Sequence, residues 1–308
     1  MNWINKIIKA GENIKKAFHK RATKEDIANS DWMSCCKGPR LKVDFENNMW
    51  VCPDCNRHQT IKPRQRFDYL FGKGNYEILN PPTVPDDPLN FVDSKKYIDR
   101  LKDARKKTGM KCSMLAASGK INNIMVTAIA SDFEFLGASV EQNEGEVILH
   151  AVQYSIENKQ PLLMCASGGG MRMQASMISL SQMPRTVLAI NELKKNNLPY
   201  IVLLTHPTAG GITASYAMIG DIHIAEPGAL IAFAGARVIQ GTVKEKLPSG
   251  FQRSEYLLEK GQIDSVVQRK DLSKVIGTLL SILLKKNSDI SAEENETSEN
   301  TQSLSKAV

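Results

Sequence analysis

Two glycine-rich loops constrain this chain more than any other feature: Gly168-Gly169-Gly170 and Ala209-Gly210-Gly211, each set between an apolar strand-like run and a helix-like run. Pro161-Leu162-Leu163-Met164-Cys165-Ala166-Ser167 precedes the first, and Tyr200-Ile201-Val202-Leu203-Leu204-Thr205 leads to the second. Glycine lets the backbone turn sharply and lets another group approach the main chain closely. At the start of a helix, such loops would present free N–H groups where the dipole also favours negative charge. The device suits a phosphate or the oxyanion of a thioester enolate.

From Cys112 onward the pattern alternates strand and helix. Met114 to Ile121 and Ile124 to Ala130 flank Asn122-Asn123, a hairpin signal. A helix is predicted over about Glu144 to Asn158, followed by the strand and helix of each glycine loop, a short strand at Ile222 to Ala225 and an apolar run at Ala229 to Phe233. Strands separated by helices imply a mainly parallel α/β sheet with right-handed crossovers. Leu272, Val275, Ile276, Leu279, Leu280 and Leu283 give the helix over Asp271 to Lys285 a core-facing stripe. Asp93-Ser94 caps a polar helix reaching about Lys107. The chain thus divides into a basic helix over 1–30, a cysteine-bearing module over 31–64, a linker over 65–92 carrying Pro81, Pro82, Pro85 and Pro88, the α/β domain over 93–286, and a disordered polar tail over 287–308.

Composition narrows the partners. The 308 residues are 42% hydrophobic, enough for a sizeable core, and no apolar run is long enough to span a bilayer. Trp3, Ile4, Ile7, Ile8 and Ile14 make the N-terminal segment amphipathic without the continuous apolar core of a secretory signal, so it reads as a docking or solvated helix. The net charge of +7 fits a substrate bearing several phosphates as well as it fits DNA. Aromatics at 6% are too few for a base-stacking platform, so nucleic-acid binding is expected to be weak at most.

Cys112 and Cys165 sit in apolar strand-like contexts and read as buried thiols, whereas Cys35, Cys36, Cys52 and Cys55 cluster. In a reduced cytoplasm such a cluster reads as a metal site before disulfides. Cys36-x15-Cys52-x2-Cys55 has the spacing of half a zinc ribbon and its return knuckle. A complete ribbon would have a cysteine where Met33 stands; Cys35 is adjacent to Cys36 instead, and His58 is a possible substitute ligand. Any metal here would be structural.

Further motifs extend the glycine loops: Gly169-Gly170-Met171-Arg172-Met173-Gln174, Thr205-His206-Pro207-Thr208-Ala209-Gly210-Gly211-Ile212-Thr213-Ala214-Ser215-Tyr216-Ala217, Phe233-Ala234-Gly235-Ala236-Arg237-Val238-Ile239, and Glu245-Lys246-Leu247-Pro248-Ser249-Gly250-Phe251-Gln252-Arg253-Ser254-Glu255. With the cysteine module upstream, this ordered set closely resembles the beta-subunit family of bacterial acetyl-coenzyme A carboxylase carboxyltransferases, over about Trp32 to Leu284. The resemblance implies a crotonase-like (ClpP-like) fold of stacked ββα units with an N-terminal zinc ribbon, here Cys35, Cys36, Cys52 and Cys55. It implies an alpha subunit as partner in an α2β2 assembly, together with biotin carboxylase and a biotin carboxyl carrier protein. It also implies transfer of a carboxyl group from carrier-borne biotin to acetyl-CoA in the cytoplasm, giving malonyl-CoA. On that reading Gly169 and Gly170 donate to the thioester oxygen, Gly210 and Gly211 open a helix beside the same cleft, and Arg172 and Arg237 contact phosphates, neighbouring loops or ion-pair partners.

Three departures from the family pattern accompany Met33. Met171 replaces a small residue after the glycines, Ala236 stands where proline is common, and Pro184 falls inside the helix after the first loop, which it should kink or split. Of the competing readings, all but the first lack a part. A carboxyltransferase acting on another acyl-CoA uses the same loops; a hydratase or isomerase needs a carboxylate in the cleft; a zinc-ribbon nucleic-acid module needs base-reading residues; a peptidase would have to pair Ser167 with His206.

Overall fold

The computed structural model describes residues 32–36, 38–244 and 247–285; the basic helix expected over 1–30, the polar tail over 287–308 and the side chain of Arg237 lie outside the described residues. Two compact units meet between Asn56 and Arg57, earlier than the boundary expected after Arg64. In the smaller unit, β1 (Trp32–Cys35) and β2 (Gly38–Leu41) form an antiparallel hairpin, followed by α1 (Lys42–Asn47), which buries Phe45.

Among the described residues, the larger unit is built on an eight-stranded sheet. β3 (Tyr76–Leu79), β4 (Met114–Ile121) and β5 (Ile124–Ser131) pair antiparallel. From β5 onward, β6 (Leu162–Gly168), β7 (Tyr200–Ala209), β8 (Ile222–Ala225) and β10 (Ser265–Val266) run parallel, with β9 (Ile231–Ala232) also parallel beside β7. Helices α2 (Pro63–Phe71), α3 (Tyr97–Thr108), α4 (Gln142–Glu157), α5 (Ser176–Leu180), α6 (Gln182–Lys195), α7 (Ala236–Val243), α8 (Ser254–Glu259) and α9 (Leu272–Leu283) connect or cover them. The β4–β5 turn places Asn122 and Asn123 at φ of 46° and 61°, the left-handed geometry a two-residue hairpin demands and asparagine tolerates.

The central strands read as unbroken apolar runs because both faces of the sheet are covered. Met164, Ala166, Val202 and Leu204 gather with Val147, Ile148, Ile190 and Leu193 from α4 and α6. The alternate positions, Leu163, Cys165, Ile201 and Leu203, gather with Phe67, Leu70, Leu272 and Ile276 from α2 and α9. This period of two follows from the pleat.

Several expectations need correction. The span 65–92 is no plain linker: it contains most of α2, whose Phe67 is fully buried, and the edge strand β3. Asp93 does not cap α3, which starts at Tyr97; its carboxylate instead accepts the Lys95 N–H at 3.0 Å and pairs with Arg100. Pro184 does divide the helix after the first loop. It lies in the first turn of α6, where its missing N–H has no intrahelical partner to lose, and α5 stops at Leu180. Among the described residues no helix is long and apolar enough to cross a membrane.

A buried ion cluster lies just past β8. Glu226 accepts Arg66 Nη1 at 2.6 Å and Arg269 through Nε and Nη2, both at 2.8 Å. Burial alone would raise this carboxyl, yet Arg66 and Arg269 hold it well below its ordinary value of 4.5. Its stabilisation is therefore present above the unfolded value and is lost as pH falls through the lower folded one. Glu226→Gln leaves two buried guanidinium groups without a counter-charge, and we expect a loss of about 3–5 kcal/mol in unfolding free energy. Denaturant unfolding of both proteins from about pH 7 down to about pH 3 should show the gap narrowing on the acid side; a gap independent of pH would contradict the assignment.

Candidate functional site

The glycine loops leave the C-terminal ends of the adjacent parallel strands β6 and β7, the edge where ligands bind in open α/β sheets. Their backbones touch. A Cβ placed on Gly210 would lie 3.0 Å from the Gly169 carbonyl oxygen and 3.3 Å from Gly170 Cα, and one on Gly170 would lie 3.3 Å from the Gly211 nitrogen. Gly170 (φ 123°) and Gly210 (φ 64°) also hold backbone conformations that a side chain opposes. Met171, larger than the family's usual residue, fits because it lies over Gly211, where an added Cβ would come within 2.7 Å of Met171 Cγ.

Hydrogen bonding shows which amides remain for a ligand. The Gly169 N–H donates to the Gly137 carbonyl at 3.0 Å, and Gly210 N–H is shared between the carbonyls of Ala232 and Phe233, both at 3.1 Å. Among the described residues, the amides of Gly170 and Gly211 donate to no protein acceptor. Of the expected donors Gly169 and Gly170, the first spends its N–H inside the protein, while Gly170 and Gly211, one from each loop, keep theirs. The helix dipole contributes less than expected as well. Gly210 and Gly211 enter a turn and then the short 3-10 segment Tyr216–Met218, while the first loop precedes the 3-10 segment Met173–Ala175.

Arg172 secures the first loop from within. It is 2% exposed, and donates to Glu144 Oε1 at 2.8 Å, Tyr97 Oη at 3.0 Å and Ser139 Oγ at 3.1 Å, with Glu141 Oε1 at 3.3 Å. The backbone is stitched to the same segment: Val140 N–H donates to Gly170 at 2.9 Å and Arg172 N–H to Val140 at 2.8 Å. Burial alone would raise Glu144, but Arg172 and the N–H groups of Ser113 and Glu141 bring it below its usual range; Glu141 is raised by burial and by Glu144. Arg172 thus has the ion-pair role among those expected and is not turned outward to phosphates. This network escaped the sequence reading, although Glu141 and Glu144 at the start of a strong helix signal could have drawn attention to it.

Ser167 and His206 form no nucleophile–base pair. Ser167 donates to the Pro207 carbonyl at 3.2 Å, and His206 Nδ1 accepts the Leu230 N–H at 3.2 Å. Burial, with Arg253 and Arg57, lowers the His206 pKa and keeps the ring neutral. Cys165 and Cys112 are buried thiols as expected, each pushed up to about 12 by burial.

In the smaller unit, the Sγ atoms of Cys35, Cys36, Cys52 and Cys55 all lie within 4.8 Å of one another, with Cys35 and Cys55 at 3.6 Å. His58 does not join them. Its Nε2 meets Gln268 Oε1 at 2.8 Å, and its Nδ1 faces Glu226 at 3.5 Å.

The contact between the loops predicts a graded cost. Gly228 has a φ of 67°, close to that of Gly210, but an added Cβ there meets nothing within 4 Å. Gly228→Ala should lose about 1–2 kcal/mol of stability for left-handed backbone alone. Gly210→Ala should lose about 1–3 kcal/mol more, as the loops are forced apart. Equal losses in denaturant titrations would show that the backbones do not bear on each other.

Comparison with known proteins agrees with this geometry. Residues 87–296 match the carboxyl transferase domain family. The acetyl-coenzyme A carboxylase carboxyl transferase subunit beta of Pelagibacter ubique (strain HTCC1062) is 66% identical over 308 residues, the whole of both chains. Two solved structures share the fold. A transcarboxylase 12S with methylmalonyl-coenzyme A and methylmalonic acid bound matches at a TM-score of 0.58 and 20% identity, over 71% of this chain and 40% of that longer one. The Pseudomonas malonate decarboxylase MdcD-MdcE hetero-dimer matches at 0.55 and 17%, over 72% and 86%. The crotonase-like architecture, the family match over residues 87–296 and 66% identity over the full length together place the chain in the carboxyl transferase domain family, among the acetyl-coenzyme A carboxylase carboxyl transferase beta subunits.

Proposed function

We propose that this chain binds acetyl-CoA and stabilises its enolate during carboxyl transfer, giving malonyl-CoA. The observation that carries the reading is the pair of amides, Gly170 and Gly211, that meet across two strand ends with no acceptor among the described residues. Loss of the acetyl methyl proton places negative charge on the thioester oxygen. Fixed N–H donors stabilise such charge without reorganising, and losing one costs roughly 3–4 kcal/mol of barrier. Carboxybiotin on a separate carrier protein supplies the carboxyl group and then a base for the methyl proton. No side-chain base is needed from this chain, consistent with Glu144 and Arg172 being committed to each other.

Arg237 remains a candidate contact for phosphates or neighbouring loops, and the pocket for the biotin side is expected from a partner. Met173 (83% exposed), Met177 (70%) and Leu180 (48%) follow the first loop directly, an apolar strip suited to an alpha subunit in an α2β2 assembly. The fold neighbour solved as a hetero-dimer supports such pairing. Biotin carboxylase and the biotin carboxyl carrier protein complete the reading, which places the complex in the cytoplasm.

The cysteine cluster fits structural zinc. Tetrahedral zinc–thiolate bonds of about 2.3 Å separate sulfurs by about 3.8 Å, and the four Sγ atoms lie within 4.8 Å of one another. Mutual proximity also raises the thiols: Cys55 pushes Cys36 up to about 12. A divalent cation reverses that effect and leaves thiolate ligands. Cys35, Cys36, Cys52 and Cys55 would hold the metal, which supplies folding energy to this small unit.

Two outcomes follow. The chain alone should show no malonyl-CoA decarboxylation with free biotin and should gain it on adding the alpha subunit; full activity from the isolated chain would refute the proposal. Metal analysis of folded, chelator-free protein should find about one zinc per chain, and Cys52→Ser should abolish it. Folded protein free of zinc would refute the metal assignment.

A further inference from the structure

On the face of the sheet lined by α2 and α9, a small cavity of about 20 Å³, room for an occupant of only a few heavy atoms, opens near the ends of β5, β6 and β7. Its lining includes Arg66, Arg269, Glu226, Ser131, Ser167 and His206. The charges do not balance. Two guanidinium groups share one carboxylate, so the lining carries a net charge of about +1 with its histidine neutral, and buried charge is costly unless compensated. Arg66 is 4% exposed; among the described residues only Glu226 accepts from its side chain, through Nη1, leaving the other donors of the fork.

The second observation is independent of the charges. Ser131 is 7% exposed, lines the same cavity, and its Oγ has no hydrogen-bond partner among the described residues. A buried hydroxyl without a partner is expensive and points to a polar occupant. His206 adds a third group. Because its Nδ1 accepts the Leu230 N–H, the neutral ring carries its proton on Nε2 and is a donor there. Guanidinium N–H, hydroxyl and imidazole N–H are all donors, and planar guanidinium groups match planar oxyanions.

We propose that this cavity is a binding site for a small planar oxyanion, a carboxylate or bicarbonate, held by Arg66, Ser131 and His206 on the opposite side of the sheet's edge from the Arg172 network. The site does not depend on the enolate reading, since none of its donors is Gly170 or Gly211.

The test titrates the full-length chain calorimetrically with sodium acetate and, separately, sodium bicarbonate, holding ionic strength constant with chloride. One saturable site is expected. Binding of bicarbonate alone assigns the site to the free anion, and binding of acetate assigns it to a carboxylate group carried by a larger ligand. Ser131→Ala should weaken binding by about tenfold, the loss of one hydrogen bond to a charged group. Its thermal midpoint without added ligand should not fall, because the hydroxyl has no protein partner to lose. His206→Phe should weaken binding similarly, whereas Ser94→Ala on the exposed α3 approach should not. Absence of saturable binding by either anion overturns the proposal, as does binding that Ser131→Ala and His206→Phe both leave unchanged.

Discussion

The contact between two stretches of bare backbone, Gly169-Gly170 and Gly210-Gly211, governs how this protein can work. Strands β6 and β7 are neighbours in register along Leu162 to Ala166 and Tyr200 to Leu204, so their ends arrive together. Any side chain at Gly170 or Gly210 would fill the space that brings the Gly211 amide against the first loop. The two amides left over by internal hydrogen bonding are thus a consequence of strand adjacency plus the absence of Cβ atoms. A single loop could not supply them, because Gly169 and Gly210 spend their N–H groups holding the loops in place.

Backbone donors are only as useful as the rigidity behind them, and the surrounding charges supply it. Arg172 ties the first loop to α3 through Tyr97, to the segment before α4 through Ser139, and to α4 through Glu144. It sits two residues beyond Gly170, so any rotation of the loop would break several bonds to a buried cation at once. Glu226 acts similarly beyond β8, joining α2 through Arg66 to the approach of α9 through Arg269. In both places burial makes one broken bond costly, which is why the arrangement resists local opening.

The sequence made the α/β alternation, the Asn122-Asn123 hairpin and the core helices legible because periodicity and turn chemistry are local. The two loops were legible as a pair for the same reason. Which amides stay available was not, since the Gly169 acceptor is Gly137, a distant residue brought there by folding. The proline-rich span hid α2 because its buried residues, Arg66, Phe67, Leu70 and Phe71, precede the prolines, and a buried arginine reads as solvent-facing until its partner Glu226 is known. His58 misled for a similar reason: spacing after Cys55 suggested a ligand, while its ring meets Gln268 and Glu226.

Among the described residues no general base is available near the loops, and that bears on the division of labour. Glu144 is bound to Arg172, Ser167 donates to a carbonyl, and His206 is neutral with one ring nitrogen already occupied. On the proposed function such a site steadies an oxyanion, and among the described residues it offers no side chain poised to remove the proton that creates it. Such a half-site makes chemical sense only if the base arrives with the second substrate, which in turn requires a surface that holds that substrate over Gly170 and Gly211. The exposed Met173 and Met177 lie on the stretch of chain leading away from those amides, where a partner could close the cleft and exclude water, strengthening the N–H donors by lowering the dielectric around them.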